Sequence, residues 1–93
     1  MYGLVGKLTA KSGKGAELAG ILYAATRQMP GCHAYRIALD AADGDVLWIT
    51  EEWDSSEAHQ ASLSLPAVQA ALTAGRPLIE GMERLATTSP FAG

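Results

Sequence analysis

The sequence has few of the residues that build disulfides, metal sites or membrane segments. Among its 93 residues there is one cysteine, Cys32, so no disulfide can form within one chain, and no CxxC motif exists for zinc binding or thiol redox chemistry. No apolar run approaches the roughly 20 residues that cross a bilayer, and no charged segment followed by an apolar signal core opens the chain. We therefore expect a cytoplasmic protein with no membrane partner.

Positive charge is also scarce. The chain has 7 basic and 10 acidic residues, a formal net charge of −3, and the basic residues do not cluster. A protein that follows a phosphate backbone needs a basic stripe, so we expect no nucleic-acid partner. The two histidines, His33 and His59, have no spacing typical of a metal site, and the sequence therefore predicts no metal.

Apolar residues, in contrast, are plentiful at 48%. A chain of this length buries only about 60–65% of its unfolded surface, so we expect one domain over residues 1–93, and part of the apolar excess to cover a partner. The pattern predicts the element order β-α-β-β-α-β. The strands are predicted at 2–10, 32–39, 46–53 and 82–88, the helices at 14–29 and 54–75, and a loose tail at 89–93.

Turn and cap residues set the helix boundaries. An apolar stripe at helical spacing runs to Met29, where Pro30-Gly31 ends the first helix. Asp54 followed by Glu57 has the spacing of a capping box and starts the second helix. Pro66 interrupts that helix as the first residue of a renewed helical turn.

The third strand is apolar on both faces. It follows the hairpin signal Asp43-Gly44, and its two alternating faces each begin with apolar residues and each hold a tryptophan, Trp48 on one and Trp53 on the other. The element order predicts a ferredoxin-like α+β fold, an antiparallel sheet with both helices on one face. A large exposed apolar face marks an interaction surface, so we expect a homodimer through the open sheet face.

Four short motifs resemble, in order and spacing, those of the antibiotic biosynthesis monooxygenase (ABM) domains, including their quinol monooxygenase-like members. They extend over nearly the whole chain: Lys11-Ser12-Gly13-Lys14, Met29-Pro30-Gly31-Cys32 with Tyr35, Glu51-Glu52-Trp53, and Ser64-Leu65-Pro66. The resemblance implies a dimeric α+β barrel with a pocket between sheet and helices. It also implies, for some members, oxygenation of phenols or quinols without metal, flavin or haem, whereas other members degrade haem, isomerise small metabolites or have no assigned reaction.

On this basis we expect a cofactor-independent monooxygenase that oxidises a small aromatic such as a quinol or phenol, with molecular oxygen as co-substrate. An electron-rich phenolate can pass an electron to oxygen directly, so the protein need only bind, deprotonate and shield the substrate. Two other roles stay open, an isomerase of a small metabolite and a ligand-binding dimer without chemistry. Haem binding or degradation is the third hypothesis.

The candidate catalytic residues are Glu51 and His33. If Glu51 is buried beside Trp53, desolvation disfavours its ionised form, which suits a general base near neutral pH. The alternative is a carboxylate paired with a basic residue such as Arg36 or Arg84, or with the partner subunit. The ordinary imidazole pKa of about 6.5 suits His33 for proton transfer.

The candidate substrate-binding residues are Trp53, Tyr35, Gly6, Ser62 and His59. Trp53 is placed near the pocket by the resemblance, with a core or interface role as the alternative, and Tyr35 can donate a hydrogen bond to a bound oxygen. Haem-degrading relatives carry an Asn on the first strand and a His on the second helix. Gly6 and Ser62 stand at those places, with His59 one helical turn earlier, so the sequence lacks the expected axial imidazole.

Overall fold

A computed structural model describes residues 1–92 and divides the second predicted helix in two. The elements are β1 (Tyr2–Ala10), α1 (Gly15–Ala25), β2 (Cys32–Leu39), β3 (Val46–Trp53), α2 (Ser56–Ser62), α3 (Pro66–Gly75), a 3₁₀ turn (Arg76–Leu78) and β4 (Ile79–Thr88). Residues 89–92 of the predicted tail have no regular secondary structure, and Gly93 lies outside the described residues. No helix of the described chain is long and apolar enough to cross a membrane.

The strands form one antiparallel sheet in the order β2-β3-β1-β4, which confirms the predicted ferredoxin-like α+β fold. Residues opposite one another on neighbouring strands point to the same face. Leu8 lies opposite Leu47 in this way, and both are buried with Leu18 and Leu22 of α1 in the main core cluster. The helices therefore cover the sheet face that carries Leu8 and Leu47.

The first helix ends at Ala25, so its predicted extension to Met29 is wrong. The Thr26 hydroxyl donates a hydrogen bond to the Leu22 carbonyl (2.7 Å), which gives the backbone an alternative to further helical turns. Met29 is nevertheless buried, because it packs with Trp53 in a second core cluster. The helical spacing of apolar residues therefore extends to Met29 because Met29 belongs to the core, although the helix itself ends at Ala25.

The cap of α2 is Ser55, so the predicted Asp54 cap is also wrong. The Ser55 hydroxyl accepts a hydrogen bond from the Ala58 amide (3.1 Å), as an N-cap side chain does. The Asp54 carboxylate instead lies 2.5 Å from the His33 ring. Pro66 begins α3, as predicted.

The last strand begins at Ile79, earlier than the predicted residue 82. A hydrogen bond from the Lys11 amide to the Leu78 carbonyl (2.8 Å) holds the 3₁₀ turn against the end of β1, and Ile79 then pairs with Ala10. Gly81 lies just inside β4, and glycine within a strand weakens the strand signal in the sequence.

The sheet face opposite the helices, called the open face below, is mixed in character rather than apolar as expected. Trp48 lies there, but its indole Nε1 donates to Asp40 Oδ1 (2.8 Å), and the Lys7 ammonium lies 5.6 Å from the ring centroid. The register also places charged side chains on this face, namely Lys7, Arg36, Glu52 and Glu83.

Candidate functional site

A cavity of about 380 Å³, called the main cavity, lies between the covered sheet face and the helices. Its sheet wall includes Leu4 and Ile49, and Leu22 of α1 and Leu72 of α3 lie across from them. β4 adds Ile79, Met82 and Arg84. This wall is mostly apolar, as is typical of sites that bind small organic ligands.

A smaller space of about 90 Å³, the inner chamber, adjoins the main cavity under α2. Tyr35 and Glu51 line both spaces, and Trp53, His59 and Ser62 line the inner chamber. The polar side chains of Tyr35 and Glu51 therefore lie where the two spaces meet.

The Glu51 carboxylate faces two ring nitrogens, one of which donates a hydrogen bond to it. Trp53 Nε1 donates a hydrogen bond to Glu51 Oε1 (3.0 Å), and His59 Nε2 lies 3.8 Å from the same oxygen. The Glu51 and His59 side chains are only 14% and 13% exposed. Because Oε1 faces both nitrogens, Oε2 is the oxygen available to a ligand.

α2 brings His59 into the site. The His59 ring meets the Trp53 ring edge-on, with centroids 5.4 Å apart, and the Tyr2 ring lies 6.0 Å away on the sheet. Ser62 is buried, and its hydroxyl donates a hydrogen bond to the His59 carbonyl (2.6 Å). The proton of this hydroxyl is therefore used within α2. The orientation of the imidazole thus follows from the placement of α2 on the sheet.

Tyr35 lies directly opposite Glu51 on the neighbouring strand. Burial raises the pKa of its phenol well above the ordinary value of 10, and the negative charges of Glu51 and Cys32 add to the effect. Burial and Glu51 likewise raise the pKa of the Cys32 thiol, which donates to the Ala34 carbonyl (3.5 Å). Tyr35 is therefore a protonated hydrogen-bond donor across the physiological range.

Trp53 is 1% exposed, and it packs in the core with Met29 and Val68. Its ring is thus a core element, and its Nε1 reaches the site through Glu51. Gly6 lies on the floor of the main cavity opposite Ile49. A Cβ at this position would meet only the Glu83 carbonyl oxygen at 3.4 Å, an ordinary contact, so the space above Gly6 belongs to the cavity.

His33 lines neither the main cavity nor the inner chamber. Its side chain is half exposed and pairs with Asp54, and it lines a surface pocket with Tyr23, Arg27 and Tyr35. Arg36 lies opposite Thr50 on the open face, whereas Glu51 points to the covered face, so the expected pairing of Glu51 with Arg36 is wrong.

Sequence reasoning did not identify the wall of the main cavity. Leu22 and Leu72 belong to helical apolar stripes, which could have placed them on the covered face. Met82 and Arg84 lie two residues apart in the predicted last strand and so share a face, but the register that decides which face is shifted by an irregularity between Val5 and Gly6. Residues 1–92 contain no cluster of three or more His, Cys, Asp and Glu side chains that could hold a metal ion.

Comparison with known proteins identifies the family of the chain. The family model described as Antibiotic biosynthesis monooxygenase matches residues 1–74. The putative antibiotic biosynthesis monooxygenase from Chloroflexus aurantiacus J-10-fl is 49% identical with a TM-score of 0.94, over 99% of this chain and 94% of its own. The corresponding protein from Deinococcus radiodurans is 28% identical with a TM-score of 0.79, over 100% of this chain and 95% of its own. A third, from Nitrosomonas europaea, is 14% identical with a TM-score of 0.88, over 99% and 100%, and shows the fold alone.

A search of curated proteins finds no match. The family model nevertheless covers most of the chain, and the Chloroflexus structure aligns over almost all of it at high identity. The chain belongs to the antibiotic biosynthesis monooxygenase family.

Proposed function

We propose that the protein is a cofactor-independent monooxygenase that oxidises a small phenol or quinol with molecular oxygen. The observation that carries this proposal is the Glu51 carboxylate at a mostly apolar cavity. It accepts a hydrogen bond from Trp53, lies near His59 and lies opposite the protonated Tyr35 phenol. Membership of the family supports the reaction class.

The main cavity suits one aromatic ring. Its volume of about 380 Å³ lies within the range of roughly 300–1,000 Å³ typical of small-molecule sites. Leu4 and Ile49 of the sheet and Leu22 and Leu72 of the helices would contact the two faces of the ring. A ring held between apolar walls excludes water, which strengthens the electrostatic interactions at its polar edge.

Glu51 would accept the proton of the substrate hydroxyl. Oε2 is the free oxygen of this carboxylate, and the nearby His59 imidazole can stabilise it or take the proton onward. The Tyr35 phenol would donate a hydrogen bond to the phenolate oxygen that results. These groups favour the electron-rich anion, which is the form that reduces oxygen.

The oxidation balances without another reductant. The phenolate transfers one electron to triplet oxygen, and the two radicals combine at a ring carbon to give a hydroperoxide. The ring C–H proton and the O–O bond are then lost, leaving a quinone and one water. For a phenol with a free para position, phenol and O₂ give para-quinone and H₂O, so the substrate supplies all four electrons.

The proposed working form is a homodimer through the open face. Lys7 and Arg36 lie there with Glu52 and Glu83, so two copies related by a twofold axis could oppose unlike charges. Trp48 adds apolar area to the same surface.

The test uses oxygen uptake with a panel of small phenols and hydroquinones, and ¹⁸O₂ with mass spectrometry of the product. We expect one labelled oxygen in the quinone and one in water. Glu51→Gln should lower kcat/KM by at least about 100-fold, the usual contribution of a general base. The matched control is Glu17→Gln, because the Glu17 side chain is 57% exposed on α1 and its loss should leave kcat/KM unchanged.

Other outcomes would overturn the oxygenase proposal. Substrate consumed at the same rate without oxygen would indicate an isomerase. Tight binding of every phenol with no consumption in air would indicate a binding protein.

A further inference from the structure

Arg84 is a basic side chain at the β4 wall of the main cavity. In the sheet register it lies opposite Gly6, which in turn lies opposite Ile49, so Arg84 is on the covered face. Gly6 has no side chain to fill the space in front of Arg84. The guanidinium group can therefore reach over Gly6 toward the cavity.

Arg84 has no carboxylate partner among residues 1–92, whose ion pairs are Lys14 with Glu17, His33 with Asp54 and His59 with Glu51. The other basic residue at this cavity, Lys7, places its ammonium over Trp48 on the open face. A charged group at the rim of a mostly apolar cavity is free to bind a ligand of opposite charge.

The sheet geometry separates Arg84 from Glu51. Arg84 is two strands away from Glu51 and two residues further along the sheet, since Glu51 faces Leu4 and Arg84 faces Gly6. With strands about 4.8 Å apart and about 3.4 Å per residue, their α carbons lie roughly 12 Å apart. The two side chains thus lie on opposite sides of a space that can hold one aromatic ring.

We infer that Arg84 is the binding site for an anionic substituent of the substrate, and that the substrate class is hydroxyaryl carboxylates. An arginine matches a carboxylate with two parallel hydrogen bonds. Glu51 would repel the carboxylate of the substrate, so the substrate binds with its carboxylate toward Arg84 and its phenol toward Glu51. The orientation of the phenol rests on the proposed function, whereas the preference for an anionic ligand does not.

Binding of two matched probes tests this inference without turnover. 4-Hydroxyphenylacetate carries the carboxylate, and 4-hydroxyphenylacetamide is its neutral counterpart of the same shape. We expect calorimetry under anaerobic conditions to show at least 10-fold tighter binding of the carboxylate by the unmodified protein. Arg84→Gln should abolish this preference and leave the affinity for the amide within about twofold. Arg76→Gln, exposed in the 3₁₀ turn, is the control and should keep the preference.

The salt dependence gives a second measurement on the unmodified protein. The affinity for the carboxylate should fall between 20 and 500 mM NaCl, and the affinity for the amide should stay constant. Equal affinities for the two probes, a preference that survives in Arg84→Gln, or no binding of the carboxylate at millimolar concentration would each overturn the inference. The oxygenase proposal fails separately: a carboxylate preference without oxygen uptake would sink that proposal alone, and oxygen uptake on neutral phenols without the preference would sink this inference alone.

Discussion

Tyr35 and Glu51 lie side by side at the junction of the main cavity and the inner chamber, one on β2 and one on β3. A buried phenol beside a carboxylate loses its proton only at high pH, because the anion would be both desolvated and repelled. The pair therefore joins a permanent hydrogen-bond donor to a hydrogen-bond acceptor. A phenolic ligand requires both. Before it loses its proton it needs an acceptor for its hydroxyl, and afterwards its phenolate oxygen needs a donor.

The raised pKa of Tyr35 predicts a loss of stability in alkali. Up to a pH of about 10, folded and unfolded chains both keep the proton, so the contribution of Tyr35 is constant. At higher pH the unfolded chain releases the proton and the folded chain does not, so the free energy of unfolding falls by up to about 1.4 kcal/mol per pH unit. The measurement is the free energy of unfolding in urea as a function of pH between 8 and 11.5. Tyr35→Phe should show a smaller decrease of this free energy above pH 10 than the unmodified protein.

Tyr23→Phe is the control for this experiment, since Tyr23 is 62% exposed on α1. It should keep the alkaline slope of the unmodified protein. Equal slopes in the unmodified protein and Tyr35→Phe would contradict the burial of the phenol.

The sequence predicts part of this site for a physical reason. Residues two apart on a strand share a face, so Glu51 and Trp53 could be placed together from spacing alone. The choice between His33 and His59 could not be made in this way. It depends on how α2 lies on the sheet, and the two imidazoles differ in that packing rather than in local sequence.

At the scale of elements, α2 is short and its cap decides where it starts. The helix has seven residues, from Ser56 to Ser62, and helices of this length are marginal without tertiary contacts. Ser55 satisfies an amide of the first turn, and Gly31 lies close beneath the helix, where an added Cβ would come within 2.8 Å of the Ala58 Cβ. The position of His59 on α2 therefore depends on the Ser55 cap and on the close approach of Gly31 to Ala58.

Loss of the Ser55 cap should destabilise the protein. We expect Ser55→Ala to lower the free energy of unfolding by about 1 kcal/mol, measured by urea denaturation. Ser56→Ala is the control, because the exposed Ser56 hydroxyl contacts only the neighbouring Glu57 carboxylate (3.3 Å). Equal stabilities of Ser55→Ala and Ser56→Ala would contradict the Ser55 cap.

Element types are predictable here, and so are the bounds of β1, β2 and β3, whereas the end of α1 and the starts of α2 and β4 are not. Period-two and helical patterns identified every strand and helix, since those patterns record which side faces the core. Each of these three boundaries depends on a single hydrogen bond. The Thr26 hydroxyl donates one at the end of α1, the Ser55 hydroxyl accepts one at the start of α2, and the Leu78 carbonyl accepts one just before β4. Such bonds leave little trace in the spacing of apolar residues.

At the scale of the whole molecule, the open face holds both signs of charge around Trp48 and Val5. That composition suits a surface that pairs with a copy of itself, because a twofold axis brings each patch onto another part of the same face. It also differs from the large apolar patch that the third strand indicated.

A charge at the centre of the open face should disrupt the proposed dimer. We expect the unmodified protein to have twice the mass of one chain by light scattering at micromolar concentration. Thr50→Glu should shift it to the mass of one chain, because Thr50 lies between Arg36 and Val5 in the sheet register and is exposed in the single chain. Ala70→Glu, exposed on α3, should keep the double mass. A single-chain mass for the unmodified protein would refute the dimer.

The pairing of β1 with β4 has a consequence for the order in which the protein folds. β2 and β3 are joined by a short loop and can associate early, whereas Gly3 must find Thr88 near the other end of the described chain. Contacts between such distant residues form slowly. Until β4 arrives, one edge of β1 stays unpaired and can add a strand from another molecule. We therefore expect the yield of refolding to fall as protein concentration rises, with the main cavity the last part of the molecule to form.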